Sequence, residues 1–195
     1  IQFELNSQDD EADGEKSVNA YNNLMDWGMV IMAGPTTSGS AAATAAECAT
    51  DKVFMITPSA SDAAVIEAGD NVFQICFTDP NQGKASAQYI KNNNLATKVG
   101  IIYDSSSPYS AGIKATFVEE AKALSLETVE FAFTEDTKGD LTTQVTKCQQ
   151  EGCDLVFLPI YTAEATKVLS LASTMSYDAK FFGCDGLDGI LTVEG

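Results

Sequence analysis

Short apolar runs rich in β-branched and aromatic residues alternate along the chain with longer segments whose apolar positions recur every three or four residues. The first pattern predicts strands and the second helices. Strands are expected at 1–7, where Ile1, Phe3 and Leu5 alternate with polar residues, and at Met29–Ala33, Val53–Thr57, Val72–Phe77, Val99–Tyr103, Thr128–Phe133, Leu155–Ile160 and around Phe181–Phe182. Several are apolar throughout, as strands covered on both faces are. Between them, Val18, Tyr21, Leu24 and Met25 share one face of a helix over 14–26, and the Ala-rich 41–46 segment is a good helix former. Asp79-Pro80-Asn81-Gln82 starts another helix: Asp79 can cap free amides, Pro80 suits a position that needs no N–H, and Gln82 can reach back to close a capping box. Ser107-Pro108 repeats the start signal ahead of the stripe Ile113, Phe117, Ala121 and Leu124. Leu141, Val145 and Cys148 mark a further helix, and Ala165, Val168, Ala172 and Met175 the last. Strand and helix in alternation predict an α/β fold with a mainly parallel sheet. Phe77-Thr78-Asp79 joins an apolar strand to a capped helix, which divides the chain into a first lobe, 1–78, and a second, 79–195.

Composition removes whole classes of chemistry from this scaffold. All 11 basic residues are lysines, and the 28 acidic ones give a formal charge of −17, a field that repels phosphate backbones and argues against nucleic-acid binding. Without histidine or arginine there is no Ser-His-Asp or Cys-His nucleophile, no histidine-ligated metal and no guanidinium fork. No GxGxxG or GxxxxGK[ST] fingerprint is present, so no cofactor is expected. An α/β enzyme using a carboxylate such as Asp185 as acid or base is the weaker reading, and the chain is taken as a non-enzyme. Cys48, Cys76, Cys148, Cys153 and Cys184 form no CxxC pair, and their odd number leaves at least one thiol unpaired within the chain. Cys148 and Cys153 are either a bridge between a helix end and the next strand or buried free thiols. The alternation beginning at Ile1 without a methionine, and the absence of a closing signal after Val193, read as part of a longer protein.

Ligands of open α/β sheets bind beyond the carboxyl ends of the strands. Those positions are small and polar here: Gly34-Pro35-Thr36-Thr37-Ser38-Gly39-Ser40, Pro58-Ser59-Ala60-Ser61-Asp62, Asp104-Ser105-Ser106-Ser107-Pro108-Tyr109-Ser110, Tyr161, and Gly183-Cys184-Asp185-Gly186. Taken singly, Ser38, Ser59 and Ser61 read first as caps or turn formers, Asp185 as an ordinary turn residue, and Tyr109 as surface packing. Taken together, hydroxyls and helix-start amides suit a carboxylate, Asp185 suits an ammonium, and Tyr109 and Tyr161 supply aromatic walls. Such a set describes an α-amino acid.

These segments resemble the type I periplasmic solute-binding proteins, in particular the branched-chain amino-acid (Leu/Ile/Val) branch that serves ABC transporters. The resemblance is carried by Asp9-Asp10-Glu11-Ala12-Asp13, Gly34-Pro35-Thr36-Thr37-Ser38-Gly39, Thr57-Pro58-Ser59-Ala60-Ser61, Phe73 through Gly83, Tyr103-Asp104, Tyr109-Ser110-Ala111-Gly112, Leu158-Pro159-Ile160-Tyr161 and Gly183 through Asp188, in order over nearly the whole chain. It implies two Rossmann-like lobes, here an incomplete fragment whose first lobe lacks its opening strand and C-terminal return. It also implies an extracytoplasmic protein, periplasmic or lipid-anchored, that closes an interlobe cleft on an aliphatic amino acid and delivers it to the permease subunits of an ABC importer. By position, Ser38 resembles the serine that binds the α-carboxylate, and Ser59, Ala60 and Ser61 the segment that clasps the same end. Tyr109 and Tyr161 resemble the second-lobe aromatic contacts, and Asp185 the acidic partner of the ammonium. Two departures bear on selectivity: Asp185 stands where some members have Glu, and Leu187 where many have Trp. A sensory or regulatory ligand-binding domain of the same fold is the alternative, and uncovered sheet edges in such a fragment favour self-association.

Overall fold

In the computed structural model, which describes residues 2–193, seven short strands pair in parallel and form two separate sheets. The chain divides into two compact units, Ile1–Thr78 and Asp79–Gly195.

In the first unit, β1 (Ile31–Ala33), β2 (Phe54–Thr57) and β3 (Val72–Gln74) stand in sequential order. Helices α1 (Gly14–Trp27) and α2 (Ser38–Asp51) and the single turn α3 (Ala64–Glu67) complete it. Asp13 starts α1 by accepting the Lys16 amide at 2.8 Å, as an N-cap carboxylate does. One face of the sheet is buried: Met32, Met55 and Val72 pack with Tyr21, Ala41, Ala45, Cys48 and Val65. Because strand side chains alternate, Ile31, Phe54 and Phe73 point the other way and remain 55%, 41% and 46% exposed, with the two phenyl rings stacked at 5.2 Å. The apolar run at 72–77 therefore does not mark a doubly covered strand in this unit. The strand ends at Gln74, short of the expected Phe77, with one further bond from the Ile75 amide to the Thr57 carbonyl at 3.2 Å.

The strand expected at 1–7 does not form. Ile1 lies outside the described residues, residues 2–10 carry no regular structure, and Phe3 and Leu5 are almost fully exposed. Alternation alone does not make a strand, which needs a hydrogen-bonding neighbour and an apolar surface to cover.

In the second unit, β4 (Lys98–Asp104), β5 (Glu127–Phe133), β6 (Leu155–Leu158) and β7 (Lys180–Gly183) stand in the order β5-β4-β6-β7. Here both faces are covered. Val99, Ile101, Leu155 and Phe157 face Ala87, Ile90, Ile113 and Phe117 of α4 (Asp79–Asn92) and α5 (Pro108–Ala123). Their neighbours Ile102, Val156 and Leu158 face Val145, Cys148, Ala165 and Val168 of α6 (Thr142–Gln150) and α7 (Thr162–Thr174). The continuous apolar runs of β4 and β6 thus serve two cores at once. Helices α4 and α5 touch backbone to backbone at Gly83, where an added Cβ would lie 2.5 Å from the Ile113 carbonyl oxygen and 2.7 Å from the Phe117 nitrogen. Helix α4 starts at Asp79 as expected, but Gln82 does not close a capping box; its amide points at the Asp79 carboxylate at 3.5 Å, and its carbonyl accepts the Asp185 amide at 3.3 Å.

Candidate functional site

The chain runs from β4 to β5 on one side of the second sheet and then to β6 on the other, so the topological switch lies between β4 and β6. Beyond their carboxyl ends, Tyr109 in the first turn of α5 and Tyr161 before α7 stack face to face, with ring centroids 4.8 Å apart and planes 12° from parallel. Ser107 sets the start of α5 by accepting the Ser110 amide, with Pro108 beside it. Tyr109 is buried, and its hydroxyl donates to Asp185 Oδ1 at 2.7 Å while accepting the Gly186 amide at 2.9 Å. Burial, and then the Asp185 acceptor, push this phenol well above its ordinary range, so it remains a donor.

The Asp185 turn, a short 3₁₀ segment Asp185–Leu187, is held from several sides. Thr162 Oγ1 donates to the Gly186 carbonyl at 3.2 Å, and Gln82 accepts the Asp185 amide. A Cβ at position 186 would lie 2.7 Å from the Tyr109 hydroxyl and 2.8 Å from the Ile160 carbonyl oxygen, so only glycine allows this approach. Cys184 beside it is pushed up to about 12, first by burial and then by the Asp185 charge, which keeps its thiol protonated and inert. The result is a carboxylate fixed at an aromatic wall.

In the first unit, the segments after β1 and β2 lie together. Ser38, in the first turn of α2, is buried, and its Oγ accepts the amides of Ser61 and Asp62, each at 3.2 Å. It is not a helix cap: Thr37 occupies that position without a side-chain cap bond. Ser59 donates to the Thr36 carbonyl at 2.8 Å, and Thr57 Oγ1 donates to the Pro35 carbonyl and accepts the Ala60 amide. Ala60 is buried, and its carbonyl accepts Gln74 Nε2 at 2.7 Å. Beside it the hydroxyl oxygens of Thr37 and Ser61 are buried without a hydrogen-bond partner among the described residues. Unfilled hydroxyls beside the first, unbonded amides of α2 are the chemistry that takes up a carboxylate.

The structure thus brings Ser38 together with Ser59, Ala60 and Ser61 in one unit, and Tyr109 with Tyr161 and Asp185 in the other. Gln82, Thr162 and Gly186 also hold the Asp185 turn and are not among the residues expected from the sequence. Gln82 was visible only as a helix-start residue, Gly186 only as a turn glycine, and Thr162 carried no signal at all. No group of three or more His, Cys, Asp or Glu among the described residues is placed to hold a metal ion.

The family model for periplasmic binding proteins matches residues 1–192. The chain belongs to this family. Its curated relatives include the Leu/Ile/Val-binding protein BraC3 of Rhizobium johnstonii, 28% identical over 94% of this chain and 50% of that protein. The LivJ substrate-binding protein of Streptococcus pneumoniae, solved with isoleucine, matches with a TM-score of 0.85 at 28% identity, covering 94% of this chain and 52% of that one. The leucine-binding protein LivK of Thermotoga maritima matches in fold with a TM-score of 0.86 at 23% identity, covering 92% and 51%. The chain therefore spans about half the length of the relatives it matches. Its two α/β units, each built on a parallel sheet, are those of a type I periplasmic binding protein, and its relatives lie in the branched-chain amino-acid branch.

Proposed function

We propose that this chain carries the ligand-holding residues of an extracytoplasmic solute-binding protein that takes an α-amino acid, branched-chain or otherwise aliphatic, and delivers it to an ABC importer. The observation that carries the reading is the Asp185 carboxylate, fixed by Tyr109 at the switch point of the second unit and flanked by the stacked Tyr161. A held carboxylate at an aromatic wall suits an ammonium group next to an aliphatic side chain. In this reading the ligand carboxylate goes to Ser38 and the Ser59–Ser61 segment, where buried hydroxyls have capacity to spare. Binding without catalysis accords with the family, whose matched relatives are named as binding proteins. An extracytoplasmic place is supported by the family, and none of the described helices is long and apolar enough to cross a membrane.

The test is a thermal-shift screen of the protein carrying this chain against the amino acids and against carboxylates without an amino group. A ligand at about 100 times its Kd adds about 2.7 kcal/mol, a rise of several degrees. Stabilisation by leucine, isoleucine or valine supports the reading, and stabilisation only by acids lacking the amino group would remove the role of Asp185. The uncovered sheet face of Ile31, Phe54 and Phe73 also supports self-association of this chain when it is expressed by itself. Sedimentation should show dimers or larger species, and a monomer at high concentration would argue against that.

A further inference from the structure

The pair Cys148 and Cys153 lies in the second unit, away from the Asp185 turn, and no role described above uses it. Helix α6 ends in a Schellman motif. Gly152 takes φ +71°, its amide donates to the Gln149 carbonyl at 3.0 Å, and the Cys153 amide donates to the Cys148 carbonyl at 3.1 Å. Glycine is the residue that adopts this left-handed turn freely. The motif sets the side chain two residues past the cap against the one three residues before it, a place ordinarily filled by an apolar pair. In this chain both residues are cysteines.

A second observation comes from the strand beneath them. A Cβ built on Gly100 of β4 would lie 2.6 Å from Cys148 Sγ and 3.1 Å from Cys153 Sγ. Both sulfurs therefore meet over a strand position that has no side chain, and a larger residue there would displace them. The other three cysteine sulfurs have other contacts: Cys48 against Met32 Sδ at 3.6 Å, Cys76 donating to the Ala60 carbonyl at 3.3 Å, and Cys184 half-buried beside Asp185.

We propose that Cys148 and Cys153 form a disulfide that staples the end of α6 to the start of β6, over the gap left by Gly100. The oxidant is an exchangeable disulfide, either a small molecule or a dithiol oxidoreductase. The Cys153 thiolate attacks one of its sulfurs and expels the first thiolate. Cys148, losing its proton to solvent, then displaces the second, so two electrons pass to the reagent, which leaves as two thiols.

Both thiols are buried, so the experiment is oxidative refolding of the reduced, unfolded chain in a glutathione redox couple, followed by alkylation in denaturant and peptide mapping. Cleavage after Glu151 cuts the chain between the two cysteines and leaves their peptides joined until a reductant is added. The expected result is a 148–153 link lighter by two hydrogen atoms, with the other three cysteines alkylated, and a melting temperature several degrees above that of the reduced chain. In Cys153→Ser the link and the redox-dependent shift should both vanish. Alkylation of both cysteines at every redox poise, or a link from either one to a different cysteine, would overturn the proposal.

Discussion

Replacing Tyr109 by Phe removes one oxygen and leaves the ring. The stack on Tyr161 at 4.8 Å should persist, so the loss falls on two hydrogen bonds, the 2.7 Å bond to Asp185 and the 2.9 Å bond from the Gly186 amide. A bond to a charged acceptor contributes about 1.5–3 kcal/mol and a neutral one about 1 kcal/mol. Asp185 and Gly186 are only half-buried, so water recovers part of this, and a loss of about 2 kcal/mol is expected. Urea unfolding followed by circular dichroism should register it as a lower midpoint at an unchanged slope. Hydrogen exchange gives a local reading: the Gly186 amide, deprived of its acceptor, should exchange about tenfold faster while the amides of β4 stay protected. Asp185, no longer held, should bind a ligand ammonium less well. A stability change below about 0.5 kcal/mol together with unchanged exchange at Gly186 would show that the hydroxyl does not organise the turn.

At the α4–α5 contact, Gly83→Ala should cost about 2 kcal/mol despite the better helix propensity of alanine, because the new methyl meets backbone atoms that cannot yield. Gly112→Ala on the facing helix, whose nearest neighbour would be Asp79 Oδ2 at an ordinary 3.5 Å, should be neutral or slightly stabilising; equal effects at the two sites in urea unfolding would contradict the packing argument. The phenols of Tyr21, Tyr109 and Tyr177 are all raised, chiefly by burial. Below about pH 10 both folded and unfolded chains keep these protons and the contribution is complete; above it the unfolded chain releases protons that the folded one retains. Stability should therefore fall as pH rises beyond about 10, with a shallower fall in Tyr109→Phe, and an identical pH profile in that variant would refute the assignment.

The second unit was the more legible half. Strand β6 and the centre of β4 are apolar on both faces because both faces are covered, and Ser107-Pro108 and Asp79-Pro80 mark where α5 and α4 begin. In the first unit the same kind of apolar run misled. Phe54, Phe73, Ile75 and Phe77 have the composition of buried strand residues, yet each remains substantially exposed. At 1–7 the alternation of Phe3 and Leu5 looked like a strand, and no pattern within the segment reveals whether a pairing neighbour exists. Residue type and position after a strand mark Ser38, Ser59, Ala60, Ser61, Tyr109, Tyr161 and Asp185 as candidates for the site. What they could not convey was direction: that Ser38 accepts from the amides of 61 and 62, or that Tyr109 bonds a residue 76 positions away. Gly186 and Gln82 reach Tyr109 and Asp185 through such long-range contacts, which a turn glycine and a helix-start glutamine do not reveal. The cysteine pair shows the opposite case, since the four-residue gap containing Gly152 already encodes the helix-end turn that joins Cys148 to Cys153.

The central claim, that Asp185 receives the ammonium of an amino acid, is tested most directly by calorimetric titration of the protein carrying this chain and of its Asp185→Asn variant. The titrants are leucine and its deaminated analogue, 4-methylpentanoate. Leucine should bind the parent protein, the analogue should bind far more weakly, and the variant should lose about 2–4 kcal/mol of leucine affinity, because a charged partner is left without its counterpart. Equal binding of leucine and the analogue, or a variant that holds leucine as tightly as the parent, would contradict it.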